Sequence, residues 1–173
     1  MRCLVVADLH YSLPQFDWLL SAAPHFDVVI FAGDALDVGS RVDFRAQIVV
    51  VKKYLSLLSG LTRVIVCSGN HDLDDRNPEG EKIARWIGDI GELGIACDGG
   101  SLSIGDTLFT GGTDRWSSSA STISFATPRR HGRSDGSGSI TRRLINLRPA
   151  GAASVFSATS NSRNGSRAIS HRW

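Results

Sequence analysis

The sequence has 173 residues, a net charge of +2, 42% hydrophobic residues and 21% charged residues, values typical of one soluble globular domain. No apolar run approaches the roughly 20 residues that span a bilayer, and no basic and apolar signal pattern follows Met1, so we expect a cytoplasmic protein without a membrane partner. The three cysteines (Cys3, Cys67 and Cys97) form no CxxC pair, which predicts buried thiols rather than disulfides or a thiolate zinc site.

The charge is distributed unevenly along the chain. Residues 1–116 carry a net charge of −6, whereas residues 117–173 carry +8. In the second segment Ser, Arg and Gly supply 28 of 57 residues, and Leu, Ile, Val and Phe supply only 9. So few large apolar groups cannot offset the entropy lost on ordering, which predicts a domain over 1–116 and a disordered basic tail over 117–173. An alternative, which we favour, is that the second segment is an out-of-frame translation of a GC-rich gene, because lysine and glutamate vanish from it.

Short apolar runs in the first segment predict the strands. Runs that are apolar on both faces are typical of strands covered on both sides of a sheet. Two further short strands are predicted around the turn Gly105-Asp106. The predicted strands cover 3–7, 27–32, 62–67, 101–104 and 107–110.

Helical periodicity separates these strands. One helix is predicted after Leu13-Pro14, and a second between an Asp43 N-cap and Gly60. A third is predicted to begin at Asn77-Pro78. Alternating strands and helices favour an α/β layer architecture.

Metal-binding residue types follow the first three predicted strands. Because the carboxyl ends of the strands in an open α/β sheet carry its ligand sites, we expect these side chains to converge. Residues i and i+2 of an extended segment project to the same side, so the first cluster can offer a carboxylate and an imidazole to one cation. The clusters are Asp8-x-His10, Gly33-Asp34-x-x-Asp37 and Gly69-Asn70-His71-Asp72.

This ordered set of clusters resembles the motifs of the calcineurin-like metallophosphoesterases over about residues 1–116. The resemblance implies a four-layer α/β/β/α sandwich with a dinuclear metal centre that hydrolyses phosphomonoesters or phosphodiesters. It implies that Asp8 and His10 bind the first metal, that Asp34 bridges the two metals, and that Asn70 binds the second. Oxygen and nitrogen donors without thiolate suit Mn, Fe, Zn or Ni.

The same resemblance implies catalytic roles for the third cluster. His71 would protonate the leaving group or stabilise the phosphoryl charge, and Asp72 would orient His71. Asp37 would support the site without binding metal. The implied substrate is a phosphate-ester small molecule or a nucleotide.

The family pattern continues with a lone histidine and a Gly-His-x-His element, which this sequence does not match. After residue 112 the only histidines are His131 and His171, and neither lies in that context. His25 is predicted to be a surface histidine. We therefore expect an incomplete sandwich and weak or absent turnover by this chain.

Two other functions stay open at this point. The nine arginines of 117–173 could contact phosphates, which predicts a nucleic-acid-binding module. A non-catalytic remnant that keeps one metal for structure is the third interpretation.

Overall fold

The structure is a computed structural model that describes residues 1–111, 122–128, 140–146, 153–157 and 168–171. Single 3-10 turns lie at Ala23–His25, Asn70–Asp72 and Ile90–Leu93. In the described part of the chain, no helix is both long and apolar enough to cross a membrane. The elements are β1 Arg2–Val6, α1 Leu13–Ala22, β2 Val28–Ala32, α2 Phe44–Ser59, β3 Arg63–Cys67, β4 Asp75–Arg76, β5 Lys82–Ile83, α3 Arg85–Asp89, β6 Ser101–Ile104, β7 Thr107–Gly111, β8 Thr122–Pro128, β9 Ile140–Asn146, β10 Ala153–Ser157 and β11 Ala168–His171.

The first sheet has the strand order β11-β10-β1-β2-β3. Strands β1, β2 and β3 run parallel, with Cys3 opposite Val28 and Val28 opposite Arg63. Their carboxyl ends therefore lie at one edge of the sheet. The three apolar runs at 3–7, 27–32 and 62–67 form β1, β2 and β3 to within one residue at each end, as their sequence predicts.

Alternation along these strands divides the apolar side chains between two cores. One face packs against all three helices, and the other packs against the β6–β7 hairpin, where Phe109 is buried. In β2, for example, Val29 and Phe31 face the helices while Val28 and Ile30 face the hairpin. The three helices, the first sheet and the second sheet thus form three layers. Among the described residues no helix covers the outer face of the second sheet, so the fourth layer remains a prediction.

The first two helices agree with the predictions. Pro14 lies in the first turn of α1, where its missing N–H leaves no hydrogen bond unmade. Asp43 caps α2, because its Oδ1 accepts hydrogen bonds from the backbone N–H of Arg45 at 3.0 Å and of Ala46 at 3.2 Å. Gly60 is the C-cap. The buried side of α2 carries Val51, Leu55 and Leu58.

The third helix begins later than predicted. Asn77-Pro78 lies in the turn between β4 and β5 instead, and α3 starts only at Arg85. The Asn77 side chain accepts a hydrogen bond from the backbone N–H of Glu81 at 2.8 Å, while the Asn77 N–H donates to the Glu81 carbonyl at 2.9 Å. Local side-chain bonding of this kind favours a turn over a helix start. Gly94 closes the segment in a left-handed conformation with φ of 73°.

Four strands lie within the predicted tail. β8 and β9 extend the second sheet from β7, and β10 pairs antiparallel with β1, with β11 outside it. The disorder predicted for 117–173 and its out-of-frame origin both stay predictions. The first four residues of Thr122–Pro128 alternate polar and apolar side chains, a local pattern that whole-segment composition averages away. The rest of 117–173 lies outside the described residues, and the division at 116 stays a prediction.

Replacing Asp43 with alanine tests the cap of α2. The variant leaves two backbone N–H groups without their carboxylate partner, and we expect the free energy of unfolding to fall by about 1 kcal/mol. Urea denaturation measures the change. Ser56→Ala, an exposed site on the same helix, is the control and should change stability by less than about 0.5 kcal/mol. Equal effects of the two substitutions would contradict the capping role.

Candidate metal centre

Three loops follow the parallel strands and meet at one edge of the first sheet. The first loop is 8–11 after β1, the second is 33–37 after β2, and the third is 68–72 after β3. Backbone hydrogen bonds join the first two: the His10 N–H donates to the Asp34 carbonyl at 3.0 Å, and the Tyr11 N–H donates to the Ala35 carbonyl at 2.9 Å. The loops therefore continue the parallel pairing beyond the strands.

Backbone strain is concentrated in these loops. Among the described residues, the non-glycine residues with positive φ are Asp8 at 55°, His10 at 43°, Tyr11 at 55° and Asp34 at 55°. A non-glycine residue in this region costs on the order of 1–3 kcal/mol and persists only where its surroundings fix it. Three of the four are the residues that the sequence predicts to bind the first metal or to bridge the pair.

The side chains of Asp8, His10 and Asp34 form one group of metal-ligating atoms. One ligand atom from each side chain lies within 4.8 Å of those of the other two. The His10 Nε2 to Asp8 Oδ1 distance is 3.9 Å. The Asp8 side chain is 14% exposed and that of His10 is 40% exposed, so the group opens to solvent on the imidazole side.

The chemistry of this group fits a divalent cation. Burial, followed by the charge of Asp34, raises the pKa of Asp8 above its usual range, and the nearby His10 lowers it. Two partly buried carboxylates that face each other repel when both are ionised. A divalent cation between them would relieve that repulsion and would find oxygen and nitrogen donors that suit Mn, Fe or Zn.

The third loop fixes Asp34 through the backbone. The Asp34 Oδ1 accepts a hydrogen bond from the His71 N–H at 2.8 Å. Gly69 lies so close to the second loop that a Cβ built on it would overlap the Asp34 side chain and backbone nitrogen. Position 69 therefore requires glycine because the second and third loops approach each other so closely, and not because of its backbone dihedral angles.

Asp72 lies beneath the loops and clamps two of them together. Its Oδ2 accepts hydrogen bonds from the Asp34 N–H and the Gly69 N–H, both at 2.8 Å, and its Oδ1 accepts one from the Leu36 N–H at 3.0 Å. Burial raises the pKa of Asp72 to about 7, against the lowering effect of these hydrogen bonds. The Trp86 indole donates to the Asp72 carbonyl at 2.8 Å and anchors the loop to α3.

These hydrogen bonds give Asp72 a role that the resemblance did not imply, and its orientation of His71 stays a prediction. The resemblance implied that Asp72 orients His71, but the three backbone N–H groups engage both oxygens of this buried carboxylate. The Nδ1 of His71 is buried and has no hydrogen-bond partner within the described part of the structure. Asp72 positions the loop backbone, and the His71 ring has other neighbours.

Those neighbours are His10 and Asp37. The rings of His10 and His71 meet edge to face, with centroids 4.6 Å apart. One ligand atom from each of His10, Asp37 and His71 lies within 4.8 Å of the others. Asp37, which the resemblance leaves outside the metal sphere, thus lies beside both imidazoles.

Gln47 of α2 holds Asp37 and was not predicted from the sequence. It is 1% exposed, its Oε1 accepts from the Asp37 N–H at 2.9 Å, and its Nε2 donates to the carbonyls of Asp37 at 3.0 Å and Val42 at 2.9 Å. The sequence offered one signal for this role, which is that a glutamine lies on the apolar face of the helix. Asn70 is exposed at the start of the Asn70–Asp72 turn, next to His71 along the chain.

Gly69→Ala tests the close packing of the second and third loops. The new Cβ would lie 2.7 Å from the Asp34 Cγ, so the loops must separate, and we expect a loss of about 1–3 kcal/mol in unfolding free energy. Chemical denaturation measures it. Gly88→Ala in α3 is the matched control, because nothing lies within 4 Å of its added Cβ, and it should be neutral or stabilising. A neutral Gly69→Ala would contradict the packing argument.

Comparisons with known proteins agree with this geometry at the level of family. A family model described as calcineurin-like phosphoesterase matches residues 1–142, a segment that contains the predicted 1–116 and extends beyond it. No curated protein matches the chain. A crystal structure of Chaetomium thermophilum Vps29 aligns over 87% of this chain and 98% of that one, with 10% identity, but a TM-score of 0.26 is too low to indicate a shared fold. Because the family model covers most of the sequence, the chain belongs to the calcineurin-like phosphoesterase family.

Proposed function

We propose that the chain carries the metal-binding half of a phosphoesterase site and hydrolyses phosphate esters weakly, in a metal-dependent reaction. The observation that carries the proposal is the convergence of Asp8, His10 and Asp34 within 4.8 Å at the carboxyl edge of the parallel strands. The family match supports the reaction class. The substrate class that we propose is a small phosphate ester or a nucleotide.

Asp8, His10 and Asp34 would hold the first cation, and Asp34 and Asn70 would contribute to the second. When bound, divalent cations supply positive charge that neutralises the phosphoryl oxygens. The protein's part is to hold the carboxylates in place. Since the Asp34 Oδ1 accepts the His71 N–H, the orientation of that carboxylate is set before any ligand arrives.

His71 is the residue that we propose as proton donor to the leaving oxygen. An imidazole titrates in the range needed for proton transfer near neutral pH. Its backbone N–H is fixed on Asp34, so the ring stands beside the proposed metal ligands. Asp37, held by Gln47, is the carboxylate grouped with His71. It lies beside the His71 ring, where the resemblance implied Asp72.

Weak turnover follows from the donors that the sequence lacks. The second cation would have Asp34 and Asn70, whereas the histidines that complete it in the family pattern have no match in residues 113–173. The four-layer sandwich, the dinuclear centre and manganese as the metal belong to this proposal. The nucleic-acid-binding alternative depends on the nine arginines of 117–173 and stays a prediction.

Hydrolysis of bis(4-nitrophenyl) phosphate with and without Mn(II) tests the reaction. We expect slow release of nitrophenolate that needs Mn(II) and falls at least about tenfold in Asp34→Asn, because the amide removes the charge that the cation requires. Glu92→Gln, an exposed acid on the Ile90–Leu93 turn, is the control and should keep the parent rate.

Two results would contradict parts of the proposal separately. A rate that is unchanged by EDTA and by Asp34→Asn would exclude the metal-dependent site. Fast turnover that is lost in His71→Ala would support phosphate-ester hydrolysis at this site. It would contradict the proposal that the hydrolysis is weak.

Metal binding can be measured without turnover. Saturating Mn(II), at about 100 times its Kd, should raise the unfolding free energy by about 2.7 kcal/mol, because the cation binds only the folded loops. Asp34→Asn should lose most of this gain, and Glu92→Gln should keep it. Denaturation with and without Mn(II) measures the gain. If Mn(II) stabilised the parent and both variants equally, it would bind outside the group that contains Asp34.

A further inference from the structure

Gln47 is a polar side chain on the buried side of α2, which it shares with Val51, Leu55 and Leu58. A buried amide without hydrogen-bond partners is costly, whereas an apolar side chain at the same position would gain from leaving water. Gln47 offsets that cost with three hydrogen bonds, and all three go to the backbone of Asp37 and Val42. The second loop and its continuation to α2 therefore explain the glutamine.

The amide of Gln47 holds Asp37 on both sides of its Cα. Its Oε1 accepts the Asp37 N–H at 2.9 Å, and its Nε2 donates to the Asp37 carbonyl at 3.0 Å. The Asp37 Oδ1 in turn accepts the Gly39 N–H at 2.8 Å, which orients the carboxylate on that fixed backbone. The carboxylate therefore has a defined place beside the imidazoles of His10 and His71.

Two different anchors hold neighbouring parts of the second loop. Asp72 accepts the N–H groups of Asp34 and Leu36, whereas Gln47 binds both backbone groups of Asp37. The first anchor belongs to the third loop and the second to α2. The proposed metal bridge at 34 and the carboxylate at 37 thus have separate supports.

The His71 ring depends on its side-chain neighbours for its orientation. The His71 N–H is bound to Asp34, but that hydrogen bond leaves the rotation of the side chain free. The ring meets His10 edge to face, and within the described part of the structure its Nδ1 is buried without a hydrogen bond. A carboxylate beside an imidazole selects the ring nitrogen that carries the proton. Asp37 is the carboxylate in that place.

We propose that Gln47 is a positioning residue for proton transfer, because it holds Asp37 where that carboxylate sets the orientation and tautomer of the His71 ring. This inference rests on the proposed function, in which His71 is the proton donor. Hydrolysis breaks the P–O bond to the leaving group, whose oxygen takes the imidazolium proton. Water forms the new P–O bond and releases a proton to solvent, from which the ring is protonated again. Gln47 acts through Asp37 and does not contact the reacting atoms.

Nitrogen NMR of the metal-free full chain tests this role without any turnover. In protein labelled with ¹⁵N-histidine, at a pH where the imidazoles are neutral, the two ring nitrogens report the tautomer, and the His71 signals are those lost in His71→Gln. We expect one dominant His71 tautomer in the parent and a shift toward a mixture in Asp37→Asn. Gln47→Met keeps the length of the side chain but removes its amide, and it should give the same shift.

Thr62→Val is the matched control. The Thr62 Oγ1 donates to the Phe26 carbonyl at 2.8 Å, directly before β3 and so at the opposite end of that strand from the third loop. The variant loses a side-chain hydrogen bond to the backbone, as Gln47→Met does, and should leave the His71 tautomer unchanged. If Gln47→Met does not fold, Gln47→Glu takes its place. It keeps an acceptor for the Asp37 N–H and should give a smaller shift in the same direction.

The basicity of the leaving group gives a second readout. Bis(4-nitrophenyl) phosphate releases a weakly basic phenolate that needs little protonation, whereas diphenyl phosphate releases a more basic one. General-acid catalysis contributes on the order of 10²–10⁴-fold where the leaving oxygen needs a proton, so Gln47→Met should slow diphenyl phosphate at least about fivefold more than the nitrophenyl ester. Both rates come from one sample, and their ratio is therefore unaffected by any loss of folded protein.

A His71 tautomer that shifts in Gln47→Met and Asp37→Asn but not in Thr62→Val would support the role of Gln47. An unchanged tautomer in Gln47→Met or Asp37→Asn, an equal shift in Thr62→Val, or an equal loss of both hydrolysis rates would overturn it. A parent that hydrolyses neither ester would contradict the proposed function, and the tautomer would still decide the role of Gln47. The two failures are therefore distinguishable.

Discussion

The arrangement of the site depends on one buried carboxylate and the three backbone N–H groups that it accepts. Asp72 joins the end of β3 to the end of β2, because two of its donors belong to Asp34 and Leu36 and the third to Gly69. Hydrogen bonds to an ionised or strongly polar acceptor inside a protein are stronger than those to neutral groups. Together with the hydrogen bond from the His71 N–H to the Asp34 Oδ1, this clamp fixes the Asp34 carboxylate relative to the third loop.

The clamp also explains how strained backbone survives at the metal centre. Asp8, His10 and Asp34 adopt positive φ, and each is restrained by contacts from a neighbouring loop. The His10 N–H bonds the Asp34 carbonyl, and the His71 N–H bonds the Asp34 carboxylate. Residues far apart in the sequence thereby hold one another in conformations that none would adopt alone, which places the ligand atoms with little room for movement.

Much of the first sheet could be predicted because its strands are apolar on both faces. Residues 3–7, 27–32 and 62–67 are short apolar runs that end at turn residues, a pattern that favours buried strands, and their order placed the polar clusters at one edge. The N-cap at Asp43 could be predicted equally well, since a carboxylate just before an amphipathic helix has a defined local partner in the backbone N–H groups of the first turn. The start of α3 could not be predicted, because a proline after an asparagine fits a turn as well as a helix start. In the structure Asn77 bonds Glu81 across a turn.

Roles that depend on tertiary contacts were the ones that sequence reasoning missed. The resemblance implied that Asp72 orients His71, and it gave no sign that the Asp72 side chain accepts hydrogen bonds from backbone groups some 36 to 38 residues away. Gln47 belongs to a helix whose pattern gives no reason to connect it with Asp37. Within 117–173, composition described an average over 57 residues and could not place strands such as Thr122–Pro128.

The Asp72 clamp grips main-chain atoms, and this has a consequence for how the protein can change over generations. An asparagine at 34 would keep both the N–H group that Asp72 holds and an acceptor for the His71 N–H, so the shape of the loops and the charge of the ligands are separate traits. A descendant of such a chain can lose its chemistry, or acquire a different one, while its scaffold stays intact.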